Sequence, residues 1–121
     1  MNIIKKNLKN EKNNNEKIIK KIKKQIKDNP ILLYMKGNPQ FPNCGFSAKA
    51  VEILTACNKR FAYIDILQET DIRRELPKYA NWPTFPQLWI NGELIGGCDI
   101  MIDMYQKNEL QKILNKINNK I

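Results

Sequence analysis

The apolar positions of the chain fall into short stretches with two different periods. Ile18, Ile19, Ile22 and Ile26 recur at helical spacing with lysines opposite, which predicts an amphipathic helix from about Glu16. The stripe stops at Asp28-Asn29-Pro30, a helix-ending signal. Ile31-Leu32-Leu33-Tyr34-Met35 is an unbroken apolar run of the length of a buried strand, taken to Lys36. Ala50, Val51, Ile53 and Leu54 then restore helical spacing within about Gly45–Cys57. Phe61–Ile66 is β-branched and aromatic, as a second strand would be. Thr70 or Asp71 can cap a helix through Ile72 and Leu76, with Pro77 kinking or ending it. Gln87–Ile90, Asn91-Gly92 and Glu93–Ile95 read as a hairpin, because Asn-Gly suits the tight turn. Gly96-Gly97 leads into a helix over about Cys98–Gln106. A last helix, about Asn108–Asn118, presents Leu110, Ile113, Leu114 and Ile117.

The order β-α-β-α-β-β-α predicts an α/β, thioredoxin-like fold. It has a four-stranded mixed sheet flanked by helices, with an extra helix at the N-terminus. The first strand, helix and strand form a right-handed parallel unit. No internal repeat is present.

Charge changes the picture only once it is located. The chain has 121 residues, one domain's worth, and a net charge of +9. Residues 1–27 hold ten lysines against two glutamates, a net +8, and residues 28–121 hold eleven Lys and Arg against ten Asp and Glu, a net +1. The folded part is therefore nearly neutral. Residues 1–15 are polar and low in complexity and are expected to be a disordered tail, with the domain spanning 16–121. A basic amphipathic helix could lie on a membrane, but this stripe is short and lacks an aromatic anchor, so docking on the domain is favoured. The lysines lack the interleaved aromatics of a nucleic-acid surface. Neither nucleic acid nor membrane is expected as a partner.

Three cysteines and no histidine exclude more than they suggest. Their number and spacing fit neither a disulfide framework nor a zinc site. A Cys-His dyad and a His-ligated haem are ruled out. Free thiols suit a reducing compartment. No apolar run approaches a membrane span, and the N-terminus lacks a secretory pattern, so a cytoplasmic location is expected.

Cys44 is the candidate for chemistry. It sits where the first strand's loop enters a helix. Free N–H groups and the helix dipole there favour an anion, and such cysteines can have a pKa of about 3.5–7.5. The thiolate is the form that attacks disulfides and binds metal. Pro39, Pro42 and Gly45 flank it and argue against an inert buried residue. Cys44-Gly45-Phe46-Ser47 has C-x-x-C spacing with serine at the second position, so a resolving thiol must come from elsewhere, or the task is not dithiol chemistry. Gly96-Gly97-Cys98-Asp99 opens a helix and offers N–H groups to an anion, although Asp99 could simply cap that helix. Cys57 has no motif around it and reads as a small buried residue. Trp82, Trp89, Tyr34, Tyr63 and Tyr79 read as packing, and Phe46 as a candidate shield of Cys44.

Lys36-Gly37, Cys44-Gly45-Phe46-Ser47, Trp82-Pro83-Thr84-Phe85-Pro86-Gln87 and Gly96-Gly97-Cys98-Asp99 together resemble a monothiol glutaredoxin of the CGFS class. The resemblance runs from about Glu16 to the C-terminus and is closest to the short, single-domain bacterial form. It implies a cis Pro86, with the Phe85 main chain free to pair with an extended peptide. It implies glutathione held by Lys36, Arg73, Phe85, Cys98 and Asp99; Arg74, beside Arg73, reads as facing solvent. It also implies a [2Fe–2S] cluster bridged between two subunits by Cys44 and glutathione thiols. The expected roles are then iron–sulfur carriage or, alternatively, removal of glutathione from protein mixed disulfides through Cys44. The expected partners are a second copy of the chain, a BolA-type protein and acceptor apoproteins.

Overall fold

The computed structural model describes residues 2–117, with side chains from residue 12 onward. Its elements are α1 (Asn2–Asp28), β1 (Ile31–Met35), α2 (Gly45–Ala56), β2 (Ala62–Asp65), α3 (Thr70–Ala80), β3 (Gln87–Ile90), β4 (Glu93–Gly96), α4 (Cys98–Gln106) and α5 (Glu109–Asn115). The sheet order is β2-β1-β3-β4. β1 runs parallel to β2 and antiparallel to β3, and β3 and β4 form the hairpin turned by Asn91 and Gly92.

Strand periodicity sorts the core into two layers. Ile31, Leu33 and Met35 of β1 join Leu88 and Ile90 of β3 under α2, α4 and α5, where Ala50, Ile53, Leu54, Met101, Leu110 and Leu114 meet them. The alternate residues Leu32, Tyr34 and Trp89 face α1 and α3, packing with Ile18, Ile22, Ile26, Ile66, Ile72 and Leu76. β1 is buried on both faces, which explains why its sequence is a continuous apolar run and not an alternation. The buried Tyr34 hydroxyl donates to Gln25 Oε1 of α1 at 2.9 Å. Lys21 reaches Glu69 at 2.9 Å and Asp71 at 3.4 Å, tying α1 to the start of α3. The isoleucine stripe is thus an internal packing face.

Some boundaries differ from the sequence expectation. α1 begins at Asn2, whereas residues 1–15 were expected to lack structure; Met1 lies outside the described residues. The physical reason is local. No glycine or proline interrupts the chain before Pro30, and adding residues to an existing helix costs far less than nucleating one. α3 continues past Pro77 to Ala80. Proline removes one i→i−4 bond, and the buried Ile72 and Leu76 hold the helix in place regardless. Asn81 then ends it in a left-handed conformation, φ 50°. Thr70 does not cap α3, since Glu69 occupies that position without a side-chain bond. α5 ends at Asn115, and its expected last residue, Asn118, lies outside the described residues.

Candidate functional site

The loop from β1 to α2 is held tightly. Gly37 has φ +88°, and a Cβ there would stand 2.5 Å from the Phe41 carbonyl oxygen. Only glycine fits that corner. Asn38 Oδ1 accepts from the N–H groups of Gln40 and Phe41 at 3.0 and 2.9 Å, and the Asn43 N–H donates to the Lys36 carbonyl at 2.9 Å. These bonds leave the Phe41 side chain in solvent and deliver the chain to Cys44.

Cys44 caps α2. Its backbone is extended, and its Sγ accepts the Ser47 N–H at 3.3 Å. Ser47 Oγ lies 3.2 Å from the same sulfur and accepts the Lys36 N–H at 3.1 Å. With an acceptor site so occupied, the serine's own hydrogen is available to an ionised sulfur. Burial opposes ionisation of Cys44 most strongly. The Ser47 hydroxyl, the Ser47 and Phe46 N–H groups and the Lys36 charge together outweigh it, and the thiol's pKa is lowered. The other two thiols behave oppositely. Burial pushes Cys57 up; burial, then the Asp99 charge, push Cys98 up despite Lys49. Among the three thiols, Cys44 is the one whose ionisation its surroundings favour.

Beside it lies a groove of about 720 Å³. Lys36 and Phe46 line one side, Arg73 and Pro77 of α3 another, the segment 82–86 a third, and Gly97 to Ile100 the last. All five residues expected to hold glutathione (Lys36, Arg73, Phe85, Cys98 and Asp99) thus face one cavity, while Cys44 stands next to it and not among its lining residues. The Phe85–Pro86 bond is cis. The β1–β3 pairing ends at Tyr34↔Gln87, so Phe85 lies just beyond the ladder. Cys98 is the first residue of α4, and Asp99 stands in its first turn. Arg74 pairs with Glu75 at 3.0 Å, is largely exposed and is not among the residues lining the cavity.

Several residues stand differently from what the sequence suggests. Trp82 was assigned to packing but lines the groove, and its Nε1 is buried without a hydrogen-bond partner among the described residues. Tyr34 and Trp89 are buried and Tyr79 stacks on Trp89 with ring centroids 6.4 Å apart, as packing residues would, whereas Tyr63 is substantially exposed. Phe46 lines the groove while remaining 63% exposed, so it borders Cys44 without covering it. Ser47 reads in the sequence only as a missing cysteine, yet its hydroxyl and its N–H both contact the sulfur. Its place three residues after a helix cap was the available signal. Gln87 was read as a strand residue; fully buried, it accepts from Trp89 Nε1 at 3.2 Å and donates to the Trp82 carbonyl at 3.0 Å. It staples the 82–86 segment to the sheet.

A family profile described as Glutaredoxin matches residues 31–95. The chain is 68% identical over 98 residues to a protein of Escherichia coli K12 named Glutaredoxin 4, covering 81% of this chain and 85% of that one. It is 64% identical over 104 residues to the Glutaredoxin 4 of Buchnera aphidicola subsp. Baizongia pistaciae, covering 84% and 96%. Among solved structures, reduced apo GrxS14 of poplar superposes with a TM-score of 0.70 at 42% identity, over 80% of this chain and 89% of that one. A buckwheat glutaredoxin solved as a glutathione complex shares the fold, with a TM-score of 0.78 at 21% identity over 90% and 97%.

Proposed function

The chain belongs to the glutaredoxin family, and from that premise we propose that it binds glutathione in the groove beside Cys44 and carries a [2Fe–2S] cluster bridged between two subunits. The observation that supports this is a single favoured thiolate next to a cation-bearing groove that ends on a helix N-terminus. Glutathione is a zwitterionic tripeptide. Its glycyl carboxylate suits Lys36 and Arg73, which bond carboxylates with charge assistance. Its γ-glutamyl end carries a carboxylate for the N–H groups at the start of α4 and an ammonium for Asp99. The Phe85 main chain is placed to pair with its extended middle.

The cluster is cargo in this reading. A [2Fe–2S] cluster usually takes four thiolates. Among the described residues no group of three or more His, Cys, Asp or Glu could hold a metal, and this reading assigns the cluster one thiolate per chain, Cys44. Two chains and two glutathione thiols complete the set. Ligands that are not part of the protein suit a cluster that must be handed to acceptor apoproteins, with a BolA-type protein as an alternative partner to the second subunit. No helix among the described residues is long and apolar enough to cross a membrane. We place this activity in the cytoplasm, where the three free thiols would stay reduced.

A second reading rests on the lowered pKa of Cys44. Its thiolate would attack the glutathione sulfur of a protein mixed disulfide. The S–S bond breaks, the protein thiol leaves as thiolate and takes a proton from water, and Cys44 holds the glutathione. A second glutathione thiolate would then attack that sulfur, releasing glutathione disulfide and restoring Cys44. Ser47 cannot take the resolving part.

Anaerobic reconstitution with iron, sulfide and glutathione separates the two. The cluster reading expects a coloured dimer with one cluster per two chains, lost in Cys44→Ser and at most weakened in Cys98→Ser. A full cluster in the Cys44 variant would sink it.

A further inference from the structure

Asp65 is the last residue of β2, the strand beside β1, yet its side chain reaches across to the active loop. One carboxylate oxygen, Oδ1, accepts the Gly37 N–H at 2.9 Å and the Leu67 N–H at 2.9 Å. Its backbone carbonyl accepts the N–H groups of Gln68 and Glu69, and the neighbouring Ile66 N–H donates to the Met35 carbonyl. Asp65 thus fixes the exit of β2 and the exit of β1 to one point. Gly37 is the corner at which the loop leaves the sheet, and the residue before it, Lys36, donates its N–H to Ser47 Oγ. The Lys36 carbonyl in turn accepts the Asn43 N–H, next to Cys44.

We propose that Asp65 is a positioning residue for Cys44: by accepting the Gly37 N–H it holds the Lys36–Gly37 corner where Lys36 can engage the Ser47 hydroxyl, and so aims that hydroxyl at the Cys44 sulfur. This deepens the reading of Cys44 as the working thiolate and rests on it. Asp65 touches neither the sulfur nor the groove; it acts through the backbone. Both of its bonds fall on one oxygen, so an acceptor is needed there and a charge is not. Asparagine retains that acceptor, and alanine does not.

The test reads Cys44 alone, by alkylation with iodoacetamide across a pH series and peptide mapping of the modified site in the full chain. Asp65→Ala is expected to move the Cys44 rate profile to higher pH and to slow alkylation below the thiol's pKa by about two- to tenfold, the span one hydrogen bond covers. Asp65→Asn is expected to follow wild type. In a Ser47→Ala background, Asp65→Ala should add almost no further shift, because the relay is already broken. A lowered melting temperature with an unmoved Cys44 profile would make Asp65 merely structural and overturn the proposal. So would an Asp65→Asn variant as impaired as Asp65→Ala. Should Asp65→Ala fail to fold, Asp65→Leu keeps the bulk without the acceptor, and the wild-type Gly37 amide provides a check without any substitution: rapid hydrogen exchange there would overturn the proposal as well. If wild-type Cys44 itself titrates as an ordinary thiol, the functional reading fails; if it is shifted and the Asp65→Ala profile coincides with it, only the role of Asp65 fails.

Discussion

Ser47 meets the Cys44 sulfur twice, through its hydroxyl at 3.2 Å and its backbone N–H at 3.3 Å. The residue in the second position of a C-x-x-C spacing thus stabilises the first where it cannot cross-link to it. A hydrogen bond to the charged form lowers a thiol's pKa, and removing it raises the pKa. Ser47→Ala deletes the hydroxyl and keeps the N–H, so the Cys44 pKa should rise. Thiolate absorbance in the ultraviolet across a pH titration reads this directly, with Cys44→Ser as the blank. An unchanged pKa would show that the hydroxyl contributes nothing.

The same lowered pKa has a consequence for stability. The Cys44 pKa is depressed in the folded chain, against burial, by Ser47, Phe46 and Lys36. A group so depressed contributes stability that is fully present above its unfolded pKa and lost as pH falls through its folded pKa. Wild type should therefore gain on Cys44→Ser as pH rises toward the ordinary thiol range, and lose that advantage in acid. Serine is itself a good helix cap, so the offset between the two proteins at any one pH decides nothing. The slope of the melting-temperature difference against pH is the measurement, and a flat difference would contradict the shift.

Lys36 and Arg73 lie far apart in the chain, the one just after β1 and the other the fourth residue of α3, and both line the groove. If they share a carboxylate of glutathione, Lys36→Ala and Arg73→Ala should each weaken binding. Hydrogen bonds to charged groups contribute roughly 1.5–3 kcal/mol, less where solvent reaches them. Calorimetry should show the loss in affinity growing in the double variant and shrinking with added salt. Wild-type affinity in the double variant would mean that the ligand lies elsewhere.

Most of the fold was legible because its signals are local. The period of Ile18, Ile22 and Ile26, the apolar run of β1 and the Asn91-Gly92 turn each encode their element in adjacent residues. The cleft residues Lys36, Arg73, Phe85, Cys98 and Asp99 were legible through motif resemblance, since nothing local connects positions so far apart in the chain. What escaped was the supporting layer. Gln87 reaches back to Trp82, and Asp65 bonds Gly37 from another strand. Such contacts exist only once the sheet order β2-β1-β3-β4 has brought the strand ends together. The extent of α1 escaped for a different reason: a polar, lysine-rich composition is shared by disordered tails and exposed helices, and it does not distinguish them.

α1 carries the remaining prediction, because its two ends have different environments. Toward its C-terminus Ile22 is fully buried, Ile18 and Ile26 nearly so, and Gln25 accepts from the buried Tyr34 hydroxyl. Residues 12–17 are exposed. Deleting residues 1–14 should leave the melting temperature, glutathione binding and cluster assembly at wild-type values. Deleting residues 1–27 removes the stripe and leaves Tyr34 without its acceptor. Fully burying an isoleucine stabilises by about 1.5–3 kcal/mol, so this deletion should lower the melting temperature sharply even where Cys44 and the groove are untouched. Ile22→Ala is the finer probe, expected to destabilise by about 2–5 kcal/mol while the lysines stay in place. The two results together separate packing from charge. If the 1–14 deletion kept its stability but lost cluster transfer, the basic end of α1 would be a partner-binding element, and the reading of its charge as incidental would be wrong.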